Sequence, residues 1–289
     1  MDDPPQAGIL APVAKDSKDC TNNCPDSILS HIVSLLRIEH AVETSVLSRQ
    51  WRYLWKTRPN LEFDIPNIFG DKYTRLVEKL AQLKTLWLNN VVVDSGFLEH
   101  LSSVCVLLEG LTLRKCRVHS NLIIIGPSLH LKDLKVLDCN TLDKIEIDVV
   151  NLSSFEFRGN ILKISCMTTP LLVRFFFRGC CDLYGLPYAF TLLALCPGLE
   201  TLQLQLLNKL ENISQTVPTF GNLKHLNLDL FTPDFDLWSV LNILKAAPNL
   251  EELVITGRSY DYQGEMMDIS GFSHNHLRKV KCKRSKVCG

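Results

Sequence analysis

The feature that most restricts this chain is a six-residue core, Leu-x-x-Leu-x-Leu or a close variant, that returns eleven times. It stands at Leu83/Leu86/Leu88, Leu108/Leu111/Leu113, Leu131/Leu134/Val136 and Leu142/Ile145/Ile147. It continues at Leu152/Phe155/Phe157, Ile161/Ile164/Cys166, Leu172/Phe175/Phe177 and Leu199/Leu202/Leu204. It ends at Leu223/Leu226/Leu228, Leu250/Leu253/Ile255 and Leu277/Val280/Cys282. Unrelated amphipathic strands would not keep one three-position core so many times. Each core is a short strand with its apolar residues turned inward. One copy cannot bury that face alone, so neighbours stack and their strands pair in parallel.

This is the pattern of leucine-rich repeats, and the spacing adds detail. First-position residues are 25 and 23 apart at the start and 27, 24, 27 and 27 apart at the end. Such lengths hold a strand and a returning helix. Asp236 to Ala247 is one predicted helix, with Leu237, Val240, Leu241 and Leu244 on one face and Pro248 stopping it; Phe97, Leu98, Leu101, Val104 and Cys105 predict another. Between Leu131 and Leu172 the steps shrink to 11, 10, 9 and 11, too short for a helix. That section is expected to be strand and tight turn only, locally like a β-helix. Cys116, Cys139 and Cys180 follow three of the cores, and Asn160 a fourth, at the place where such repeats close a turn. A structural role is expected for them.

Ahead of the repeats, Pro25 to Asp64 packs three short amphipathic helices into about 40 residues, below the usual size of a domain with its own core. Pro25 suits a first helical turn, and Asp26 suits the positive end of the helix dipole. Ile28, Leu29, Ile32, Leu35 and Leu36 are expected on a single apolar face. Ala41, Val42, Ser45 and Val46 repeat the pattern; Ser48 is a candidate cap for a third helix, on which Trp51, Leu54 and Trp55 share a face. On pattern alone, a fragment of a larger core fits equally well. In order and spacing, Pro25-Asp26-Ser27-Ile28-Leu29, Ala41 to Ser48 and Trp51-Arg52-Tyr53-Leu54-Trp55 resemble the F-box motif of plant proteins. Asn60 to Asp64 resembles the segment that follows it, with Cys24, Arg37, Glu43 and Gln50 as departures. The short central repeats and the phrases Cys196 to Glu200 and Ala247 to Glu251 are similar to those of plant F-box proteins with leucine-rich repeats, so the resemblance runs from 20 to about 280.

The expected fold class is therefore α/β: a small three-helix F-box module, then a leucine-rich-repeat solenoid with a parallel sheet on its concave face and helices only in the longer repeats. The expected divisions are a flexible tail at 1–19, the module at 20–64, a connecting segment at 65–82 with a helix through Leu76, Val77 and Leu80, the solenoid at 83–282, and a basic tail at 283–289. The last core lies close to Gly289 with Cys282 in an apolar place, as expected of a shortened family member, a truncated gene model or a frayed end.

Composition narrows the functional classes. Apolar content of 46% and charged content of 21% are those of a folded protein. A formal net charge of zero argues against a dedicated nucleic-acid or membrane-surface binder. Eleven cysteines form no framework and no zinc spacing, so reduced thiols in the cytoplasm or nucleus are expected. No apolar run reaches about 18 residues, so no membrane span is expected. No signal peptide is expected either. The Asn151 and Asn212 glycosylation sequons are read as chance. No catalytic motif, metal cluster or cofactor site stands out: His274 and His276 are read as loop residues, and the basic run from Arg278 to Lys286 as alternating charges on a final strand.

The resemblance implies a non-catalytic substrate receptor of a Skp–cullin–F-box ubiquitin ligase. Its module would dock on a Skp-type adaptor, and so on a cullin–RING ligase, through Pro25, Ile28, Leu29, Ile32, Val46, Leu47 and Trp51. The repeats would hold an unidentified target protein. Outward core positions, expected on the concave face, are Trp87, Thr112, Lys135, Glu146, Glu156, Ser165, Phe176, Gln203, Asn227, Val254 and Lys281. Phe176, flanked by Arg174 and Arg178 with Arg158 two strands earlier, has the makeup of an interface hot spot, and Trp87 is a second candidate. Two other readings stay open: an F-box protein acting outside ubiquitination, and a co-receptor holding a small ligand in the concavity.

Overall fold

Strand residues alternate sides, so the second and third apolar residues of each core face the same way and the residue between them faces opposite. In the computed structural model this pattern builds a ten-stranded parallel sheet. The residues described are 24–36, 38–57, 60–64, 83–93, 95–118, 120–126, 128–160, 163–180, 193, 196–206, 218–230, 237–257 and 273–284. They fall into two compact units, Met1–Trp55 and Lys56–Gly289.

In the first unit, helix α1 (Asp26–Leu35) is followed by α2 (Ile38–Glu43), a 3-10 turn (Thr44–Val46) and a 3-10 helix (Trp51–Thr57) that runs into the second unit. The amides of Ile28 and Leu29 both donate to the Pro25 carbonyl at the start of α1. Leu29, Val33, Ala41, Trp51 and Leu54 form the core, with Cys24, Leu36 and Trp55 packed against it. The expected single apolar face of α1 is in fact two. Leu29 and Val33 point inward, whereas Ile28, Ile32 and Leu35 are exposed. Ser48 does not cap the third helix: its Oγ is buried without a hydrogen-bond partner. Gln50 does the joining instead. Its Nε2 donates to the Cys24 carbonyl at 2.8 Å and to Asp26 Oδ1 at 2.7 Å.

In the second unit the sheet begins earlier than the first full core. Strand β1 (Asn60–Asp64), which the sequence groups with the helical module, pairs in parallel with β2 (Thr85–Asn89). Then come β3 (Val92–Val93), α3 (Ser95–Val104), β4 (Gly110–Arg114), β5 (Arg117–Val118), β6 (Ser120–Ile125), β7 (Asp133–Leu137), β8 (Leu142–Asp148), β9 (Ser154–Asn160), β10 (Lys163–Thr168) and β11 (Arg174–Cys180). The order ends with β12 (Thr201–Leu206), β13 (His225–Leu230), α4 (Leu237–Ala246), β14 (Glu252–Gly257) and β15 (Lys279–Arg284). The large sheet runs β1-β2-β4-β7-β9-β11-β12-β13-β14-β15. Helices α3 and α4 lie in the long repeats, with Leu98, Leu101, Val240 and Leu241 buried.

The central section is strand and turn, as the short steps require, but its strands alternate between two sheets. Strands β6, β8 and β10 form a separate parallel sheet in the order β10-β8-β6. The strands of the fourth and sixth cores, β8 and β10, therefore belong to the second sheet, so positions 146 and 165 are not part of the large sheet. The repeats of the large sheet advance from Leu131 to Leu152 to Leu172, steps of 21 and 20 residues. Four phenylalanines fill the interior there: Phe155 lies 5.5 Å from Phe175 between ring centroids, and Phe157 lies 5.6 Å from Phe177. Pairs at such distances add to the stabilisation from burial alone.

The turns repeat as faithfully as the strands. Asn90, Lys115 and Asp138 follow β2, β4 and β7 with φ of 57°, 50° and 56°. Asn90 N–H donates to the Arg114 carbonyl at 2.8 Å, and Lys115 N–H to that of Leu137 at 2.7 Å. One residue on, the buried Cys116 thiol donates to the Leu88 carbonyl at 3.3 Å and Cys139 to that of Leu113 at 3.6 Å. This is the turn-closing role expected of them. The Cys116 contact and burial push the Cys139 thiol well above the ordinary range. The side chains of Cys180 and Asn160 lie outside the described residues.

Asparagine amides join successive repeats in the same way: Asn151 donates to the Leu129 carbonyl, Asn222 to Pro197 and Asn249 to Gly221. His274 is more constrained than a solvated loop. Its Nε2 lies 2.8 Å from the Ala247 carbonyl, and its Nδ1 accepts the Leu277 amide. The expectations for residues 1–19, for the helix through Leu76, Val77 and Leu80, for Asn212 and for the tail from 285 onward lie outside the described residues.

Candidate functional site

Two surfaces carry the site residues expected from the sequence. On the helical module, Pro25, Ile28, Ile32, Val46 and Leu47 are exposed, with Val46 87% and Leu47 57% accessible. Leu29 and Trp51 are not part of that surface. At 1% and 5% exposure they hold the module's own core, so their side chains cannot face a partner. Leu35, 73% exposed, joins the surface. It could have been found by the period alone, since Ile28, Ile32 and Leu35 stand at i, i+4 and i+7. An apolar set this exposed on a module whose core is already filled is the kind of patch that partners cover.

The second surface is the concave side of the large sheet. Strand register places Lys135, Glu156, Phe176, Gln203 and Asn227 in one row across β7, β9, β11, β12 and β13. A parallel row holds Leu137, Arg158, Arg178, Gln205 and Asp229. Because β10 belongs to the other sheet, β9 is the direct neighbour of β11. Arg158 is thus in register beside Arg178, rather than two strands from it. Arg174 is exposed one step along β11 from the Phe175–Phe177 core, between Ser154 and Thr201. Trp87 is exposed on the same face but on β2, four strands from Phe176, roughly 19 Å away at normal strand spacing. The two aromatics are therefore separate features.

Around Phe176 the face sinks into a cavity of about 360 Å³ lined by Lys135, Glu156, Arg158, Arg178, Gln205 and Asp229 among others. Lys135 Nζ lies 3.6 Å from Glu156 Oε2. Arg158 grips Asp138 with both arms, its Nε donating to Oδ1 at 2.8 Å and its terminal nitrogen to Oδ2. That bidentate pair raises the Arg158 pKa further and fixes its guanidinium plane at the cavity wall. Gln203 Nε2 donates to Asp229 Oδ2 at 3.3 Å. Lys135, Gln205 and Asp229 were not singled out from the sequence as site residues. The 21- and 20-residue advance of the true repeats was the signal that would have brought Lys135 near Phe176, whereas Gln205 and Asp229 stand two residues beyond the outward positions Gln203 and Asn227 of the next two cores.

At the far edge, the basic run of the last strand is partly answered. Lys279 and Lys281 lie 3.1 and 3.0 Å from Glu252. Those two ammonium groups, Lys281 first, hold the Glu252 carboxyl below its ordinary range. Among the described residues no group of His, Cys, Asp and Glu is placed to hold a metal ion, and no helix is long and apolar enough to cross a membrane.

Comparison with known proteins agrees with this architecture. The family model described as the At1g61320/AtMIF1 LRR domain matches residues 72–286, and the F-box domain model matches residues 22–63. F-box/FBD/LRR-repeat protein At3g52680 of Arabidopsis thaliana is 29% identical over 262 residues, which is 89% of this chain and 43% of that protein. F-box/FBD/LRR-repeat protein At4g00160 of the same plant is 27% identical over 91% of this chain and 45% of its own length. The chain thus spans less than half the length of these curated relatives. Among solved structures, an internalin (inlF) of Listeria monocytogenes aligns over 83% of this chain and 79% of its own, with 14% identity and a TM-score of 0.31. With one family model covering the repeats and another the helical module, the chain belongs to the F-box proteins with leucine-rich repeats.

Proposed function

We propose that this chain is a non-catalytic substrate receptor of a Skp–cullin–F-box ubiquitin ligase, working in the cytoplasm or nucleus. The helical module docks on a Skp-type adaptor, and the concave face of the repeats holds a target protein. The bound target then sits at high effective concentration beside the ubiquitin-loaded enzyme, so no bond chemistry is asked of this chain. The observation that carries the reading is the exposed apolar set Ile28, Ile32, Val46 and Leu47 over a module whose interior is already filled. Co-expression with a plant Skp-type adaptor, followed by size exclusion, tests it. A one-to-one complex is expected, and Ile28→Asp with Ile32→Asp should weaken it by roughly 100-fold or more while the module stays folded. Undiminished adaptor binding in that double variant would sink the docking assignment. Capture of a cullin by the same complex separates a ligase subunit from an F-box protein acting elsewhere.

A further inference from the structure

The cavity over Phe176 is unevenly neutralised. Lys135 is answered by Glu156, and Arg158 by Asp138. Among the described residues Arg178 forms no ion pair. Asp229 forms none among them either, and from the described residues it receives only the long Gln203 hydrogen bond. Between them on β12 lies Gln205, 5% exposed, whose buried Oε1 has no hydrogen-bond partner. A buried amide oxygen without a donor is unfavourable, and turning the amide into the cavity toward a bound N–H would relieve it. Register sets Arg178, Gln205 and Asp229 in one row over three adjacent strands, and two strand spacings make that row roughly 10 Å long.

We propose that this row reads a short extended segment of a target protein: a carboxylate on Arg178, a main-chain N–H on Gln205 and a cationic side chain on Asp229. Its apolar part lies over Phe176. The inference rests on the reading that the repeats hold a target. Spacing selects the occupant. Three residues of polyproline II rise about 9.3 Å and bring the side chain back to the same face, so an acid–x–x–base segment fits the row. A helix rises only about 4.5 Å over three residues and falls short. The α-ammonium and α-carboxylate of a free amino acid flank one carbon and are too close together to span the row.

The test uses the purified full chain and a phage-displayed library of random peptides. Enriched peptides are expected to share an acidic residue with a basic one three positions later. A synthetic peptide of that consensus, followed by fluorescence anisotropy, should bind at least tenfold more weakly to Arg178→Glu and to Asp229→Lys. Replacing the peptide's acid by lysine should restore binding to Arg178→Glu, which a merely structural role for Arg178 would not do. Both variants change side chains outside the apolar core, and circular dichroism checks that they fold. An unenriched library, enrichment without the charge pair, unchanged affinity in the variants, or a loss that the swapped peptide fails to rescue would each overturn the proposal. Adaptor binding measured on the same preparation keeps the readings apart. Adaptor bound without the charge pattern removes the cleft proposal alone, and the charge pattern without adaptor removes the ligase reading alone.

Discussion

Helix α1 and strand β11 both carry large apolar residues on two sides, and they do so for different reasons. On α1 the inward side, Leu29 and Val33, and the outward side, Ile28 and Ile32, are equally aliphatic. On β11 the inward Phe175 and Phe177 sit below a face where Phe176 stands between Arg174 and Arg178. The concave face of the large sheet keeps the ordinary rule, mostly polar toward solvent, and departs from it at single positions such as Trp87 and Phe176. The helical module breaks the rule along a whole face. A surface that breaks it throughout needs a partner for area and asks little about sequence. A surface that breaks it once, among charges, discriminates by where the charges sit.

The sharpest way to break this comparison is to put the same charge on each side of α1. Leu29→Asp forces a carboxylate into a filled apolar core, at a cost on the order of 3–5 kcal/mol. It should abolish amide-exchange protection across residues 26–57. Ile28→Asp places the charge in solvent and in the first turn, where the helix dipole favours it, so protection should change by less than about 0.5 kcal/mol. If both variants lose protection alike, the two sides of α1 are one core, and the exposed face has no separate meaning.

The strand offers the matching pair with a smaller gap. Phe175→Ala leaves a hole beneath the sheet and should cost about 3–5 kcal/mol, whereas Phe176→Ala should cost under about 1. Urea midpoints of the full chain measure both. Equal losses would make Phe176 a structural residue and take it out of the binding surface.

How much of this was written in the sequence differs between the two units. The strands of the eleven cores, the two helices of the long repeats and the turn-closing Cys116 and Cys139 follow from apolar spacing, because each depends on local period and on a repeat that stacks on itself, whereas β1, β3, β5 and β6 carry no such core and were not read from it. The order of strands in the centre does not. Leu-x-x-Leu-x-Leu has the same form at Leu142 as at Leu152, yet one copy feeds the small sheet and the other the large one. What separates them is whether a half-turn or a whole turn of the solenoid has passed, and a six-residue core does not encode that. The misplaced neighbour of β11 followed, and with it the place of Arg158 beside Arg178. In the module the period marked α1 as apolar. It could not say which of Ile28 and Leu29 faces inward, because both are large aliphatics and only the positions of Trp51 and Leu54 decide.

The smallest effect tests the rim of the concave face, where charges are exposed and should contribute little. Glu252 meets Lys281 and Lys279 from β15, with His225 on the opposite neighbour, β13. Its folded pKa lies below the ordinary carboxylate value, so the unfolded chain binds the proton more readily than the folded one. The sign follows: the contribution to stability is complete at neutral pH and disappears as pH falls through the folded value. An NMR titration of the Glu252 side chain should therefore give a midpoint below that of an exposed glutamate. Lys281→Met should move it up, and Lys279→Met should move it up as well. At high salt the wild-type midpoint should also rise, because solvent-exposed pairs are screened within about 10 Å at ordinary ionic strength. A midpoint unmoved by either lysine would mean that the last strand does not neutralise this edge of the sheet. The contrast would then shift, since a bare basic edge at β15 would itself attract acidic partners, and the concave face would discriminate at two places rather than at the cavity over Phe176.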